Sequence, residues 1–220
     1  MKVLPINNFE VEPWLLEKHY AKRMPSISYA FGLYEDGNLV GVCTYGTPSS
    51  AQLRKGIAGE ENAEYVLELN RLCIESKNKN AASFLVGRSL QMLPKPSIVV
   101  SYADTNQNHV GYVYQACNFI YTGLSMKKQD WAIKGMEHLH SQTIVDMSRG
   151  QEKRLEFMKE KFGDDFYMKD RARKHRYIFV TGKNKKLKAA IRYASEPYPK
   201  GESQRYDAGS SVKTQQLLFA

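Results

Sequence analysis

The sequence is short of thiols, of long apolar runs and, in one stretch, of acid. Its 220 residues hold three cysteines, Cys43, Cys73 and Cys117, widely spaced and never in a CxxC pair. Such a set fits reduced thiols in a cytoplasmic protein, each a core filler before it is chemistry. No apolar run approaches the ~18 residues that a membrane span requires. The first residues, MKVLPINNFEVEPW, carry one lysine and no long apolar segment, so no secretory leader is expected. No internal repeat is visible. What the chain does have is enough apolar material, 42% hydrophobic with 25 aromatic residues, to bury a real core. The length fits one domain, or one domain with an elaboration.

The shortage of acid is local. Residues 1–126 carry 11 Lys/Arg against 11 Asp/Glu, while residues 127–220 carry 21 against 12, which is the whole formal charge of +9. Within 169–192 ten basic residues face a single acid, Asp170. A neutral front and a basic back point to a folded core followed by a surface for a polyanion, nucleic acid first, with a solvated basic tail as the plainer alternative.

In chain order, Lys2 to Ile6 reads as an edge strand and Phe9 to Met24 as a helix anchored by Trp14, Leu15 and Tyr20, stopped by Pro25. Ile27–Tyr34 and Leu39–Tyr45 flank Glu-Asp-Gly-Asn, a hairpin signature. Residues 46–59, GTPSSAQLRKGIAG, read as a loop at a substrate rim. Leu67 to Ile74 alternates so that Leu67, Leu69, Arg71 and Cys73 would share one face. An arginine in such a strand needs a ligand or a partner, Glu68 being one candidate. A helix follows from Ser83 to Leu93. Ser83 suits its N-cap, and Lys77 and Lys79 just before it would favour an anion.

The stretch from Val99 to Gly123, VVSYADTNQNHVGYVYQACNFIYTG, reads as a buried strand, a polar crossing, a helix from about Gln107 to Cys117 halted at Asn118, and a further strand. That arrangement suits a site at the carboxyl end of a sheet strand, with Tyr114 facing it. Beyond Gly123, a strand is expected around Glu137 to Val145 and an amphipathic helix over Arg149 to Phe162, with Leu155, Phe157, Met158 and Phe162 inward and Gly163 as its stop. A closing strand over Arg173 to Val180 and a short basic helix in KNKKLKAAIRY complete the pattern, and from Ser195 the tail reads as loop. His138 and His140 would share one face of the strand, where iron or zinc is a candidate if Asp146 or a tyrosine supplied a third ligand. DNA contact or packing is the plainer use.

The order strand, helix, hairpin, strand, helix, strand, helix, strand resembles the GNAT acyltransferase fold, and NHVGYVYQACNF resembles the pattern of the helix after that fold's fifth strand. LELNRLCI, SFLVGRSLQMLPKP, the 99–123 stretch, EHLH, RKHRYIFV and EPYPKGES together resemble the Mom family of phage DNA-modification proteins. The resemblance implies an α/β (α+β) fold: a GNAT-like central mixed sheet splayed between its fourth and fifth strands and flanked by helices. Residues 1–182 would be the catalytic domain, 126–174 an insertion before the closing strand, and 183–220 a basic extension. It implies an enzyme of the host cell cytoplasm that converts the N6 amino group of adenine in double-stranded DNA to a carbamoylmethyl form, protecting it from restriction. The alternatives are a non-catalytic DNA-binding protein on the same core and an N-acetyltransferase of a small amine or protein.

By the matching motifs, Arg71 would bind an anionic or carbonyl group of the donor, and Ser83 would hydrogen-bond it. Asp104 would accept the N6 proton, and Tyr114 would protonate the leaving group, with Asn108 beside them in the donor site. A loop cap and a half-buried core tyrosine are the plain uses of Asp104 and Tyr114. Enzymes of that fold usually place glycines between strand four and its helix to cradle a pyrophosphate, whereas SKNKNAAS holds none. The donor is therefore read as acyl-CoA or a glycine-derived donor such as an aminoacyl-tRNA, with oligomeric state unassigned. Phosphate contacts are expected from Lys169, Arg171, Arg173, Lys174, Arg176, Lys183, Lys185, Lys186 and Lys188. The target adenine would be flipped out and stacked on Tyr45, Tyr102 or Tyr112.

Overall fold

A computed structural model describes residues 1–139 and 141–201. The strands are β1 (Lys2–Pro5), β2 (Tyr29–Glu35), β3 (Asn38–Gly46), β4 (Val66–Ile74), β5 (Ile98–Asp104), β6 (Ile120–Leu124), β7 (Lys128–Ile133), β8 (Phe166–Arg171) and β9 (Lys174–Val180). The helices among the described residues are α1 (Asn8–Pro13), α2 (Ala51–Ala58), α3 (Ala81–Met92), α4 (Tyr112–Ala116), α5 (Ser141–Asp146), α6 (Arg154–Phe162) and α7 (Lys185–Ala189). They form two compact units, Met1–Leu124 with the segment from Lys174 on, and Ser125–Arg173.

The first unit is a seven-stranded mixed sheet in the order β1-β2-β3-β4-β5-β9-β6. Only β4 and β5 are parallel neighbours; every other pair is antiparallel. β4 and β5 pair over Val66–Leu69 and Ile98–Ser101 alone, and beyond these residues each keeps only its outer partner. The sheet thus splays between its fourth and fifth strands, as the acyltransferase resemblance implies. One face packs on α3 and α4 through Phe31, Cys43, Tyr45, Leu69, Val99 and Tyr177. The opposite face packs on α1 through Val42 and Cys73, and on α2 and α7 through Val66, Ile98, Val100 and Ile178. The expected hairpin forms: Asp36 and Gly37 both take positive φ, 49° and 83°, the pairing a two-residue turn between twisted strands demands.

Several local expectations give way. Asn7 caps α1 in a capping box with Glu10, but the helix does not run to Met24. Pro13 has no N–H to donate, the chain widens into a π turn over Trp14–Lys18, and the His19 N–H closes it on the Trp14 carbonyl at 2.9 Å. Residues 51–58 are helix α2 and not a rim loop, because Ser50 Oγ accepts from the Leu53 N–H at 3.3 Å and starts a turn. α3 begins at Ala81 with Asn80 in the cap position, so Ser83 lies in the first turn and its hydroxyl donates to the Asn80 carbonyl at 3.1 Å. α4 begins at Tyr112, five residues later than expected. Gly111 precedes it at φ 84°, where a Cβ would stand 2.4 Å from the Tyr177 ring.

The strict alternation read for β4 is also corrected. Thr44 pairs with Arg71 and Tyr45 with Leu69, which leaves Asn70 as an extra residue in a β-bulge. A one-residue slip exchanges faces. Leu67 and Leu69 point to the α3 side, and so do Leu72 and Ile74 after the bulge. Cys73 packs on the α1 side instead, with Arg71 turned the same way.

The second unit leaves the sheet after β6 and returns at β9; Arg173 Nε donates to the Ser125 carbonyl at 2.6 Å and closes its neck. β7 and β8 form an antiparallel ribbon over a core of Ile133, Ile144, Met158 and Phe166. The strand expected at Glu137–Val145 is a turn followed by α5, and the strand of this region is β7, whose Ile133 and Trp131 pack inward. Leu155, expected inward, is exposed on α6, while Met158 is fully buried.

Candidate active site

Where β4 and β5 part, the sheet is pierced by a cavity of about 510 Å³. Its walls come from both faces. His19, Tyr20, Arg71, Tyr102 and Asp104 line it with Asn78, Lys79, Asn108, Gly111, Tyr112 and Tyr114. Three of the four candidate catalytic residues, Arg71, Asp104 and Tyr114, therefore meet in one space, joined by Asn108. The splay is what brings them together, since Asp104 belongs to the α1 side and Tyr114 to the α3–α4 side.

Arg71 is held by main chain: Nη1 donates to the Asn70 carbonyl at 2.7 Å and Nη2 to the Arg23 carbonyl at 3.3 Å. Its Nε is buried with no hydrogen-bond partner. The expected pairing with Glu68 does not form, so the guanidinium keeps its charge and one buried N–H uncommitted beside the cavity. Asp104 is engaged at both oxygens. Oδ1 accepts from the Asn106 N–H at 3.0 Å, capping a short 3-10 turn, and Oδ2 stands 2.9 Å from Lys174 Nζ. Each oxygen retains a second lone pair for a ligand donor.

Tyr114 packs at ring-centroid distances of 5.5 Å from Phe119 and 5.3 Å from Tyr177. It lies close to Ser101, whose hydroxyl donates to the Leu69 carbonyl at 3.0 Å. Burial pushes the phenol up to about 12, so it remains a proton donor throughout the neutral range. Gly111, Gln115 and Tyr177 brace it: Gln115 Nε2 donates to the Tyr177 hydroxyl at 3.1 Å and to the Val110 carbonyl at 3.2 Å. The segment after Ser195 adds a strap, with the Glu196 N–H on the Tyr121 carbonyl at 2.9 Å and the Tyr198 hydroxyl on the Phe119 carbonyl at 2.7 Å.

Two cavity residues were not anticipated as site residues from the sequence. His19 and Tyr20 leave the π turn stacked at 4.4 Å and enter the cavity wall. His19 Nδ1 accepts from the Ala21 N–H at 3.1 Å, which puts the proton of the neutral ring on Nε2. Burial, with the charges of Arg71 and Lys174, brings its pKa down to about 3. Burial and the Asp104 charge push the Tyr20 phenol up to about 12. Glu68 lies on the same sheet face as Arg71; burial raises its pKa against the pull of Arg71 and Lys174, and among the described residues its carboxylate accepts no hydrogen bond. The one local sign was a His-Tyr pair inside what read as an apolar helix.

Other expected residues lie elsewhere. Ser83 lines a second hollow of about 780 Å³ along α3, with Phe84, Lys95, Cys117, Asn118 and Lys183, and is not in the cavity wall. Tyr45 is fully buried with its hydroxyl 2.6 Å from Ser89 Oγ, so it cannot stack on a base, whereas Tyr102 and Tyr112 do line the cavity. Arg176 is corrected from a phosphate contact to a core residue. It is 7% exposed, donates to Thr122 Oγ1 and O at 2.8 Å each, and lies 3.4 Å over the Tyr193 ring. Lys174 serves Asp104, Arg171 pairs with Asp130 and Arg173 holds Ser125, while Lys169, Lys183, Lys185, Lys186 and Lys188 are exposed.

His138 sits in a turn, which removes the shared-face argument for a metal, and His140 lies outside the described residues. Among the described residues no group of three or more His, Cys, Asp or Glu is placed to hold a metal ion. No described helix is long and apolar enough to cross a membrane.

Residues 1–200 match the model of the Mom protein family. The methylcarbamoylase mom of Escherichia phage Mu is 26% identical over 190 residues, covering 83% of this chain and 77% of that protein. Among solved structures, a GNAT-family acetyltransferase from Bacillus cereus has a TM-score of 0.42 at 13% identity, covering 81% of this chain and 96% of that one. Salmonella typhimurium yncA, solved with acetyl-CoA, has a TM-score of 0.46 at 8% identity, with 84% and 95% covered.

Proposed function

The chain belongs to the Mom protein family, and from that premise we propose that it is a transferase that places a carbamoylmethyl group on the N6 amino nitrogen of adenine in DNA. The observation that carries the reading is the cavity through the splay. It is lined by residues from both faces of the sheet and joins an arginine, an aspartate and a protonated tyrosine. A site lined from both sides suits a reaction between two large molecules. The donor approaches from the α3–α4 side past Lys79 and Asn108, and the flipped base approaches from the α1 side past Tyr20 and Tyr102.

In the proposed step the adenine N6 attacks the carbonyl carbon of an activated glycyl donor, a carbon–nitrogen bond forms, and the bond from that carbon to the leaving group breaks. The N6-glycyl group so formed is an isomer of carbamoylmethyl, and an intramolecular rearrangement converts one to the other with no further reagent. The free donors of Arg71 hold the carbonyl or anionic part of the donor in line. Tyr114 passes its proton to the departing atom. Asp104, paired with Lys174, accepts an N6–H and fixes the amino group as it loses a proton. His19, neutral at working pH, presents Nε2–H as a donor and not as a base. Stacking on Tyr102 or Tyr112 offsets part of the cost of unstacking the base.

The residues present fit a pyrophosphate poorly at the usual place. Asn78 already accepts the Asn80 N–H through Oδ1 at 3.0 Å and the Ala81 N–H through its carbonyl at 3.2 Å, and no glycine lets a phosphate closer. Acyl-CoA and a glycine-derived donor such as an aminoacyl-tRNA are separated by isotope labelling of the transferred group. The function itself is tested by mass spectrometry of nucleosides from DNA of cells expressing the protein. Carbamoylmethyl-adenine with the wild type and not with Arg71→Ala is the expected result. Unmodified DNA in both refutes the proposal.

A further inference from the structure

The β-bulge that turns Arg71 toward the α1 side also builds the rim of the cavity. Asn70, the bulged residue, donates from Nδ2 to the Ser26 carbonyl at 2.9 Å, while its Oδ1 accepts from the Thr44 hydroxyl at 2.6 Å. Arg71 Nη2 holds the Arg23 carbonyl. Gly46 admits the same loop so closely that a Cβ there would stand 1.9 Å from the Ser26 carbonyl oxygen. The loop Tyr20–Ser28 is therefore pinned by two neighbouring residues of β4 and seated on β3. Lys22 takes a positive φ of 40°, with its N–H on the His19 carbonyl at 3.0 Å. That left-handed turn follows immediately on His19 and Tyr20, which line the cavity, and it leaves the side chains of Lys22 and Arg23 exposed.

Those two cations differ from the paired ones nearby; Lys77 and Lys79 also lack a carboxylate partner among the described residues, but they precede α3, on the side assigned to the donor. Lys18 pairs with Glu75, Lys55 with Glu60 and Lys174 with Asp104, whereas among the described residues neither Lys22 nor Arg23 has a carboxylate partner. The lysine cluster of α7 is not in this position. Leu187 packs with Ile98 at the start of β5, and Asp104 is at its other end, about 20 Å away for six extended steps.

We infer that Lys22 and Arg23, carried on this pinned loop, are the phosphate contacts that hold a DNA duplex over the mouth of the cavity. The inference rests on the proposed function and adds the surface through which the substrate is seated. Phosphate contacts set register without reading sequence, and a loop fixed by main-chain bonds holds them at a constant distance from Arg71. A duplex seated here on the α1 side extends along the same sheet face toward α7, which becomes an outlying contact.

The test is fluorescence anisotropy of the full chain with an adenine-containing duplex across a salt series. Replacing both residues, K22Q/R23Q, should make the dependence of log affinity on log salt shallower by about 1.8, from ~0.9 per lost phosphate contact. K22R/R23K keeps the charges and should restore the slope, which separates charge from any change in folding. An unchanged slope in K22Q/R23Q overturns the inference, and so does a slope change seen with transfer RNA as the probe but not with the duplex. Wild-type protein that neither binds the duplex nor modifies adenine overturns the functional reading itself. Modification by the wild type with an unaltered slope in the variant overturns the seating surface alone.

Discussion

The two ends of the central sheet both carry cations, and they are built in opposite ways. At the carboxyl ends of β4 and β5, Arg71 and Lys174 are fixed by backbone carbonyls and by Asp104, partly out of water, around a cavity. At the other end, Lys185, Lys186 and Lys188 stand in solvent on a five-residue helix held only by Leu187 and the Asn184 cap. Arg176, on the strand that joins the two ends, belongs to neither group, because it is buried against Tyr193 and Thr122. The density of positive charge along the chain is highest where the structure makes least use of it. Charge does chemistry where a fold desolvates and orients it, and a row of exposed lysines supplies only a diffuse, salt-screened field.

The sharpest way to break this comparison is at the cavity end. Arg71→Ala should lower the rate of adenine modification by ~100- to 1,000-fold, the usual cost of one oriented electrostatic donor, with duplex affinity altered by no more than about three-fold. Parallel loss of binding and modification would make Arg71 a seating residue and erase the contrast. The next largest effect is expected at Arg176. Arg176→Ala removes a buried cation together with its hydrogen bonds and ring contact, and should destabilise the protein by ~2–4 kcal/mol, read as a fall in Tm. The salt slope of the folded fraction should not move.

His19 sharpens the comparison through pH. Its folded pKa of about 3 lies below the unfolded value near 6.5, so below pH 6.5 the unfolded chain binds a proton that the folded chain refuses. The stability it allows is complete above pH 6.5 and is lost as pH falls toward 3, by ~1.4 kcal/mol per unit. Between pH 6.5 and 5 the wild type should lose about 2 kcal/mol that His19→Gln does not, measured by denaturant titration at each pH. Identical profiles would show that the imidazole is not held neutral. The smallest effect is expected at the far end. K185Q/K186Q should change affinity for a short duplex by under about three-fold, rising with duplex length as the DNA reaches α7. A larger change on the short duplex would return α7 to the centre of the interface.

Much of the candidate site was legible in local pattern. The run SYAD ends a buried strand, NHVGYVYQACNF supplies a short helix with Tyr114, and LELNRLC carries an arginine inside a strand; each of these depends on residues close in sequence. The Glu-Asp-Gly-Asn turn was equally clear, since two successive positive φ angles are demanded by the turn itself. Errors arose where a neighbour across the fold decided the outcome. Ser83 is a separate, local case, since Asn80 three residues earlier took the cap position. Tyr45 looked available for stacking, but Ser89 on α3 met its hydroxyl in the core. Residues 51–58 looked like a glycine-rich loop, but α2 is held by the packing of Ile57 and Ala58 against Val66 and Leu187.

The amino-acid sequence by itself determined the alternation of strands and helices, the neutral and basic halves, and four of the residues that line the cavity, Arg71, Asp104, Asn108 and Tyr114. These follow from side-chain periodicity, turn conformation and charge, all set within a few residues. Tertiary structure alone decided which face those residues take and what joins them. A bulge at Asn70 reverses the outward parity of β4, a π turn after Pro13 delivers His19 and Tyr20, and the parting of β4 from β5 leaves one cavity lined from both faces. Each depends on register and backbone hydrogen bonds between segments far apart in the chain, and a one-residue change of register inverts every face beyond it.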